Sequence, residues 1–171
     1  MSPTRARTRR ASLALLLAIL AGCGFQLRGS IDLPPEWKAL HLRTPSPNGE
    51  LATAMRSGGG TAGVQWVERE DANFIVDLGP EQFQNRNLSI GANARATEFE
   101  MTLRTQIRVI SKQGQELLPL TDVSTVQIIV NDPENIAGVA EETRLLRQEM
   151  RVNLVQQILR KLRSLAETNS T

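Results

Sequence analysis

The strongest constraint on the fold is a pair of long strand patterns in the second half of the chain. Over residues 97–110, apolar side chains fall on odd positions and most polar ones on even positions. This period of two predicts a strand with one buried side and one side facing water. A turn containing Gly114 follows, and residues 117–130 are again rich in Val, Ile and Thr. Two long strands joined by a short turn pair antiparallel, so the chain is predicted to be built around a long hairpin.

A long helix is predicted to cover the buried side of this hairpin. The segment 131–134 (NDPE) indicates a helix entry, with Asp132 as N-cap and Pro133 in the first turn, while Gly138 weakens the start. From residue 139 onward, apolar side chains recur at intervals of three and four, as on one face of a helix. They are Leu146, Met150, Leu154, Val155, Ile158, Leu159, Leu162 and Leu165.

The first half of the chain predicts shorter elements. They are a strand over 37–43, a helix over 50–57 with Asn48 as N-cap, strand material over 64–67 and 72–84 interrupted by Pro80, and a polar loop or hairpin tip over 84–95. Glycines 58–60 are predicted to end the helix in a turn. The fold class is therefore α+β: a single domain with a mostly antiparallel sheet of about four strands, carrying a short N-terminal helix and a long C-terminal helix on one face.

The first 23 residues predict export from the cytoplasm. Four arginines within the first ten residues precede an apolar run over 11–21, interrupted only by Ser12. About 20 apolar residues are needed to cross a bilayer, so this run is too short to be a transmembrane helix. It has the length and charged flank of a signal peptide.

The signal peptide ends at 20–23 (LAGC), which resembles the lipobox of bacterial lipoproteins. In those proteins the leader is cut before the cysteine, which then carries acyl chains, palmitate among them. The resemblance implies lipidation at Cys23 and no other cofactor. Gly24 in place of Asp favours the outer membrane over retention in the inner one. The predicted segments are a cleaved signal peptide (1–22), an acylated tether (23–35), the folded domain (36–165) and a flexible tail (166–171).

Composition excludes several classes of function. Removing the four leader arginines from the 20 Lys+Arg residues leaves 16 against 18 acidic residues, so the sequence offers no support for a nucleic-acid binder. One His, one Cys and no Tyr leave too few residues for a His-based metal site or a Cys–His pair. We therefore expect neither a metal nor catalysis.

The order of motifs resembles the LptE family of lipopolysaccharide-assembly lipoproteins. The similar segments are 23–29 (CGFQLRG), 97–101 (TEFEM), 131–133 (NDP), 141–151 (EETRLLRQEMR) and 157–162 (QILRKL). The resemblance implies two helices on a four-stranded sheet, and a lipoprotein that plugs and helps to assemble the LptD β-barrel. It implies that the pair inserts lipopolysaccharide into the outer leaflet.

Lipopolysaccharide carries phosphates and acidic sugars, so contact with it requires local Arg or Lys. The candidates are Arg86 and Arg95 in the predicted loop and Lys112 in the hairpin turn. Arg104 and Arg108 lie on the outward strand face. The alternative is that these cations are solvated or pair with Glu98 and Glu100. No motif of the family fixes any of them.

Two other functions share the predicted anchor. One is a pilotin-like lipoprotein that escorts a secretin or another outer-membrane barrel. The other is a lipid-anchored periplasmic hydrolase, against which the shortage of His and Cys argues. The identity of the barrel that co-purifies with the protein distinguishes the pilotin-like function from the LptE-like one.

Overall fold

The computed structural model describes residues 33–90, 96–130 and 136–169. Its elements are a 3₁₀ turn (Pro35–Trp37), β1 (Ala39–Arg43), α1 (Glu50–Thr61), β2 (Gln65–Trp66), β3 (Phe74–Leu78), β4 (Gln82–Ile90), β5 (Ala96–Ser111), β6 (Glu116–Val130) and α2 (Ile136–Asn169). The leader, Cys23, Arg95 and the predicted helix entry at 131–134 lie outside the described residues.

The sheet is organised around β5. Strand β6 pairs antiparallel along nearly the whole length of β5. Because β6 fills one edge, β3 and β4 must follow each other along the other edge, β4 beside the first half of β5 and β3 beside its end. Strand β1 pairs in parallel with both β2 and β3. The α+β class is confirmed, although the described sheet has six strands rather than about four.

The predicted hairpin and its helical cover are both confirmed. Odd residues of β5 are buried: Met101, Leu103, Thr105, Ile107 and Val109 are all at most 2% exposed. The four apolar residues among them share one core cluster with the apolar stripe of α2 and with Leu51 and Met55 of α1. Gly114 adopts φ 87° in the β5–β6 turn, a conformation that L-residues with a side chain rarely adopt.

The three glycines do not end the first helix. Helix α1 continues through them to Thr61, and its N-cap is Gly49 rather than Asn48. A Cβ built at Gly59 would lie 2.5 Å from Trp66 Cζ2, and one built at Gly58 would lie 2.6 Å from Val155 Cγ1. The glycines therefore let the helix approach β2 and α2 closely, and tertiary packing outweighs their poor helix propensity.

Part of the predicted loop over 84–95 is a strand. The interruption at Pro80 is real, because β3 ends at Leu78, but β4 then runs from Gln82 to Ile90 beside β5. Over residues 82–88, whose side chains the structure describes, all but one are exposed, and the exception, Phe83, packs against the core. The pairing thus depends on backbone hydrogen bonds to β5, which do not require an alternating apolar pattern.

The described domain reaches into both predicted terminal segments. Leu33, in the predicted tether, is 2% exposed and belongs to the core cluster. At the other end, α2 continues to Asn169 with Ala166 fully buried, so the part of the predicted tail before residue 170 is helical. Among the described residues, no helix is both long and apolar enough to cross a membrane.

Candidate functional site

The two faces of β5 differ in what covers them. Its odd residues pack against the helices, whereas Arg104 and Gln106 are exposed on the opposite side. We call this opposite side the open face and define it by the even residues 98–108 of β5 and their cross-strand partners. Directly paired residues of neighbouring strands point to the same side of a sheet, so the strand pairing determines which side chains meet there.

One edge of the open face is apolar. On β6, Val126, Ile128 and Val130 are 50%, 59% and 69% exposed, while Ile129 between them is only 8% exposed. They pair with Thr102, Glu100 and Glu98 of β5, in that order. An apolar stripe therefore lies directly beside a polar one. Monomeric soluble proteins rarely expose such contiguous apolar surface without a partner for it.

Arg86 lies on this face, in the same cross-strand row as Glu100 and Ile128. Its guanidinium donates to the Glu100 carboxylate at 3.1 Å, and its side chain remains 69% exposed. The pairing that the sequence left open as an alternative is thus present. An exposed pair of this kind contributes little to stability, so Arg86 stays available to an external anion.

Lys112 is far from Arg86. It lies in the turn after β5, where its Nζ donates to the Glu70 carbonyl at 2.6 Å. At about 3.3 Å per residue along the strand, Glu100 and Lys112 are roughly 40 Å apart. The structure therefore does not bring Arg86 and Lys112 into one site. Arg95 is outside the described residues, and lipopolysaccharide contact by any of the three stays a prediction.

A pair of arginines shares one carboxylate across the neighbouring strands β1, β3 and β5, with β3 in the middle. Asp77 accepts hydrogen bonds from Arg43, with Nη2 at 2.7 Å, and from Arg108, with Nη2 again at 2.7 Å. Burial acts to raise the pKa of Asp77, but the hydrogen bonds from the two arginines outweigh it and hold the pKa below its ordinary value. Two cations thus share one carboxylate. Arg104, four residues before Arg108 on β5, donates to the Gln82 amide oxygen at 2.8 Å.

Neither Arg43 nor Asp77 was among the candidate residues that the sequence indicated. Both belong to short strands, and their contact depends on the parallel pairing that aligns Arg43 with Asp77 across 34 positions of sequence. The available sequence signal was a charged residue at the last position of β1 and at the last but one of β3. Within the described ranges, no three His, Cys, Asp or Glu side chains are grouped so as to hold a metal ion.

Comparison with known proteins identifies a family. Residues 37–162 match the family model LptE, described as lipopolysaccharide-assembly. The chain is 32% identical to the LPS-assembly lipoprotein LptE of Yersinia enterocolitica over 153 residues, which is 88% of this chain and 72% of that protein. It is 34% identical to the protein of the same name from Yersinia pestis over 161 residues, covering 91% and 76% of the two chains.

Solved structures share the fold. The rare lipoprotein B from Shewanella oneidensis superposes with a TM-score of 0.69 at 19% identity, covering 77% of this chain and 98% of that one. The solution structure of lipoprotein B from Nitrosomonas europaea gives a TM-score of 0.68 at 26% identity, covering 84% and 93%.

Proposed function

The chain belongs to the LptE family, and on this premise we propose that it is a non-enzymatic outer-membrane lipoprotein that plugs and helps to assemble an LptD-like β-barrel. In this role it takes part in inserting lipopolysaccharide into the outer leaflet. The observation that carries the proposal is the family match across residues 37–162, together with relatives named LPS-assembly lipoproteins.

The open face offers chemistry suited to this role. Lipopolysaccharide is an amphiphile with phosphates and acyl chains. The cross-strand row of Arg86, Glu100 and Ile128 holds a cation on β4 and an apolar side chain on β6, with Glu100 of β5 between them. The lumen of a wide barrel is polar, which suits the exposed polar side chains of β4 and β5. We therefore assign contacts with the barrel and with lipopolysaccharide to this face.

Lipidation at Cys23 would hold the domain at the periplasmic side of the outer membrane. Each buried CH₂ of an acyl chain contributes about 0.8 kcal/mol, so several chains give a stable anchor where a single chain does not. An anchored domain also meets a barrel in the same membrane at a higher effective concentration. Globomycin, which blocks cleavage of lipobox leaders, should leave the precursor uncut, as should Cys23→Ser.

The test of the function is purification of the tagged, lipidated protein from detergent-solubilised outer membranes. We expect one large LptD-like barrel in a one-to-one complex. A secretin in its place would support the pilotin-like alternative, which family membership does not favour. The absence of any stoichiometric barrel would contradict the proposal.

Photo-crosslinking tests the assignment of the face. A photoreactive residue at position 86 or 128 should crosslink to the barrel or to lipopolysaccharide, and the same residue at position 95 tests the remaining candidate from the sequence. The control is position 160, where an arginine is exposed on the last turns of α2. Equal crosslinking at 86 and 160 would contradict the assignment without contradicting the function.

A further inference from the structure

A cavity lies away from the open face, between the start of α1 and the first half of α2. Its volume is about 430 Å³. The side chains that line it come almost entirely from one face of α2, and Glu50 of α1 closes one side. The α2 residues are Ala140, Thr143, Arg144, Arg147, Gln148 and Arg151.

Arg147 is the central cation of this cavity. Its guanidinium carbon lies 4.0 Å from the centroid of the Phe83 ring, so the aromatic face holds the planar group in place. Its Nε is buried and has no hydrogen-bond partner. Leaving a buried donor unpaired costs free energy, and the cost is larger for a charged group.

The two neighbouring arginines differ from Arg147 in having carboxylate partners. Arg144 donates to Glu141 with Nη2 at 2.7 Å, and Arg151 donates to Glu81 with Nε at 2.9 Å and also pairs with Glu50. Of the three arginines, Arg147 alone has no ion pair to a carboxylate within the described residues. Its charge is thus available to an anion that enters the cavity.

We propose that this cavity binds a phosphate group, with Arg147 as its principal ligand. A guanidinium presents its donors in a fixed plane that matches two oxygens of such a group, and stacking on Phe83 orients this plane in advance. The Gln148 amide is a further donor in the lining. Glu50 repels an entering anion and so lowers the affinity. The group belongs either to a lipid headgroup or to a free phosphate.

The test uses the full-length protein in a neutral detergent, titrated with inorganic phosphate while the arginine Nε–Hε resonances are followed by NMR. We expect a saturable shift of the Arg147 resonance. Arg147→Gln should weaken binding by about tenfold or more, because a charge-assisted bidentate contact is lost. Arg160→Gln, on the same helix and exposed, is the matched control and should bind like the wild type.

Glu50→Gln gives an independent readout, because it should tighten binding while Arg147 stays in place. To separate the two sources, the same variants are mixed with vesicles of phosphatidylcholine containing phosphatidic acid. Saturation by inorganic phosphate alone identifies a free anion, and Arg147-dependent binding to the vesicles alone identifies a headgroup.

Absence of binding to both probes would overturn the proposal, as would binding that Arg147→Gln leaves unchanged. The circular dichroism spectrum of Arg147→Gln checks that the variant folds. The outcome is separate from the proposed function, because a barrel can co-purify whether or not the cavity holds an anion.

Discussion

The odd and even residues of β5 differ in burial and in what they contact, although they alternate along the same strand. The odd side faces α1 and α2, and its residues are almost completely buried. The even side carries exposed polar residues, and on β6 it continues into exposed Val126, Ile128 and Val130. The covered side accounts for stability within the chain. The open side contributes little to stability, so its apolar stripe points to contacts outside the chain.

The largest effect is expected from the covered side. Leu103→Ala removes a fully buried side chain and leaves a cavity in the core, so it should lower the free energy of unfolding by about 3 kcal/mol. Arg104→Ala, its exposed neighbour, should cost less than about 0.5 kcal/mol. Urea denaturation of both variants checks the contrast. Similar losses would show that the two sides are not distinct.

A smaller effect tests the glycines of α1, which lie on the covered side. Gly59→Ala places a methyl group against the Trp66 ring and should destabilise by about 1–3 kcal/mol. Gly60→Ala meets no atom within 4 Å and should stabilise by about 0.5 kcal/mol through helix propensity. If thermal melting shows that both variants gain stability, the close approach of helix and ring is not required.

Ile128 and Ile129 offer a contrast within one strand, because they are adjacent on β6 but 59% and 8% exposed. Ile128→Thr keeps β-branching, so it should change stability by less than about 0.5 kcal/mol. It should nevertheless reduce the amount of barrel that co-purifies. Ile129→Val, a matched change on the covered side, should lower stability by about 1 kcal/mol and leave the complex intact. If Ile128→Thr left the amount of co-purified barrel unchanged, the exposed apolar stripe of β6 would not contribute to barrel binding.

The smallest effect concerns pH. The pKa of Asp77 is lower in the folded chain than its ordinary value, because the hydrogen bonds from Arg43 and Arg108 outweigh burial. A lowered folded pKa gives stability that is present above about pH 4, the unfolded value, and is lost as pH falls through the folded pKa. Asp77→Asn should therefore cost about 1 kcal/mol or less at pH 7, and this cost should shrink below pH 4. A cost that stays constant down to pH 2 would contradict the pairing.

The sequence predicts those parts of the fold that depend on patterns among residues close together in the chain. Alternation predicted β5 and its buried side, and the three-and-four spacing predicted the stripe of α2. Strand β4 was missed because its side chains are mostly polar and exposed. It is held by backbone hydrogen bonds to β5, which leave no pattern in the sequence. Helix α1 continues through Gly58 and Gly59 because they pack closely against Val155 and Trp66. Helix propensities, which consider only the residues of the helix itself, cannot predict these contacts.

The candidate site was predicted only in part, for the same reason. Arg86 and its carboxylate partner Glu100 were both identified, since they lie in or beside a strongly patterned strand. Arg86 and Lys112 lie apart because a long β5 separates them, and contact of either residue with lipopolysaccharide stays a prediction. The contact of Arg43 with Asp77 follows from strand order, which short strands do not encode by themselves.

The most direct test of the proposed role is the composition of the complex purified with the tagged, lipidated protein from outer membranes. We expect a one-to-one complex with a large LptD-like barrel that Ile128→Thr weakens and Ile129→Val does not. Recovery of the lipoprotein without a stoichiometric barrel, or with a secretin, would contradict it.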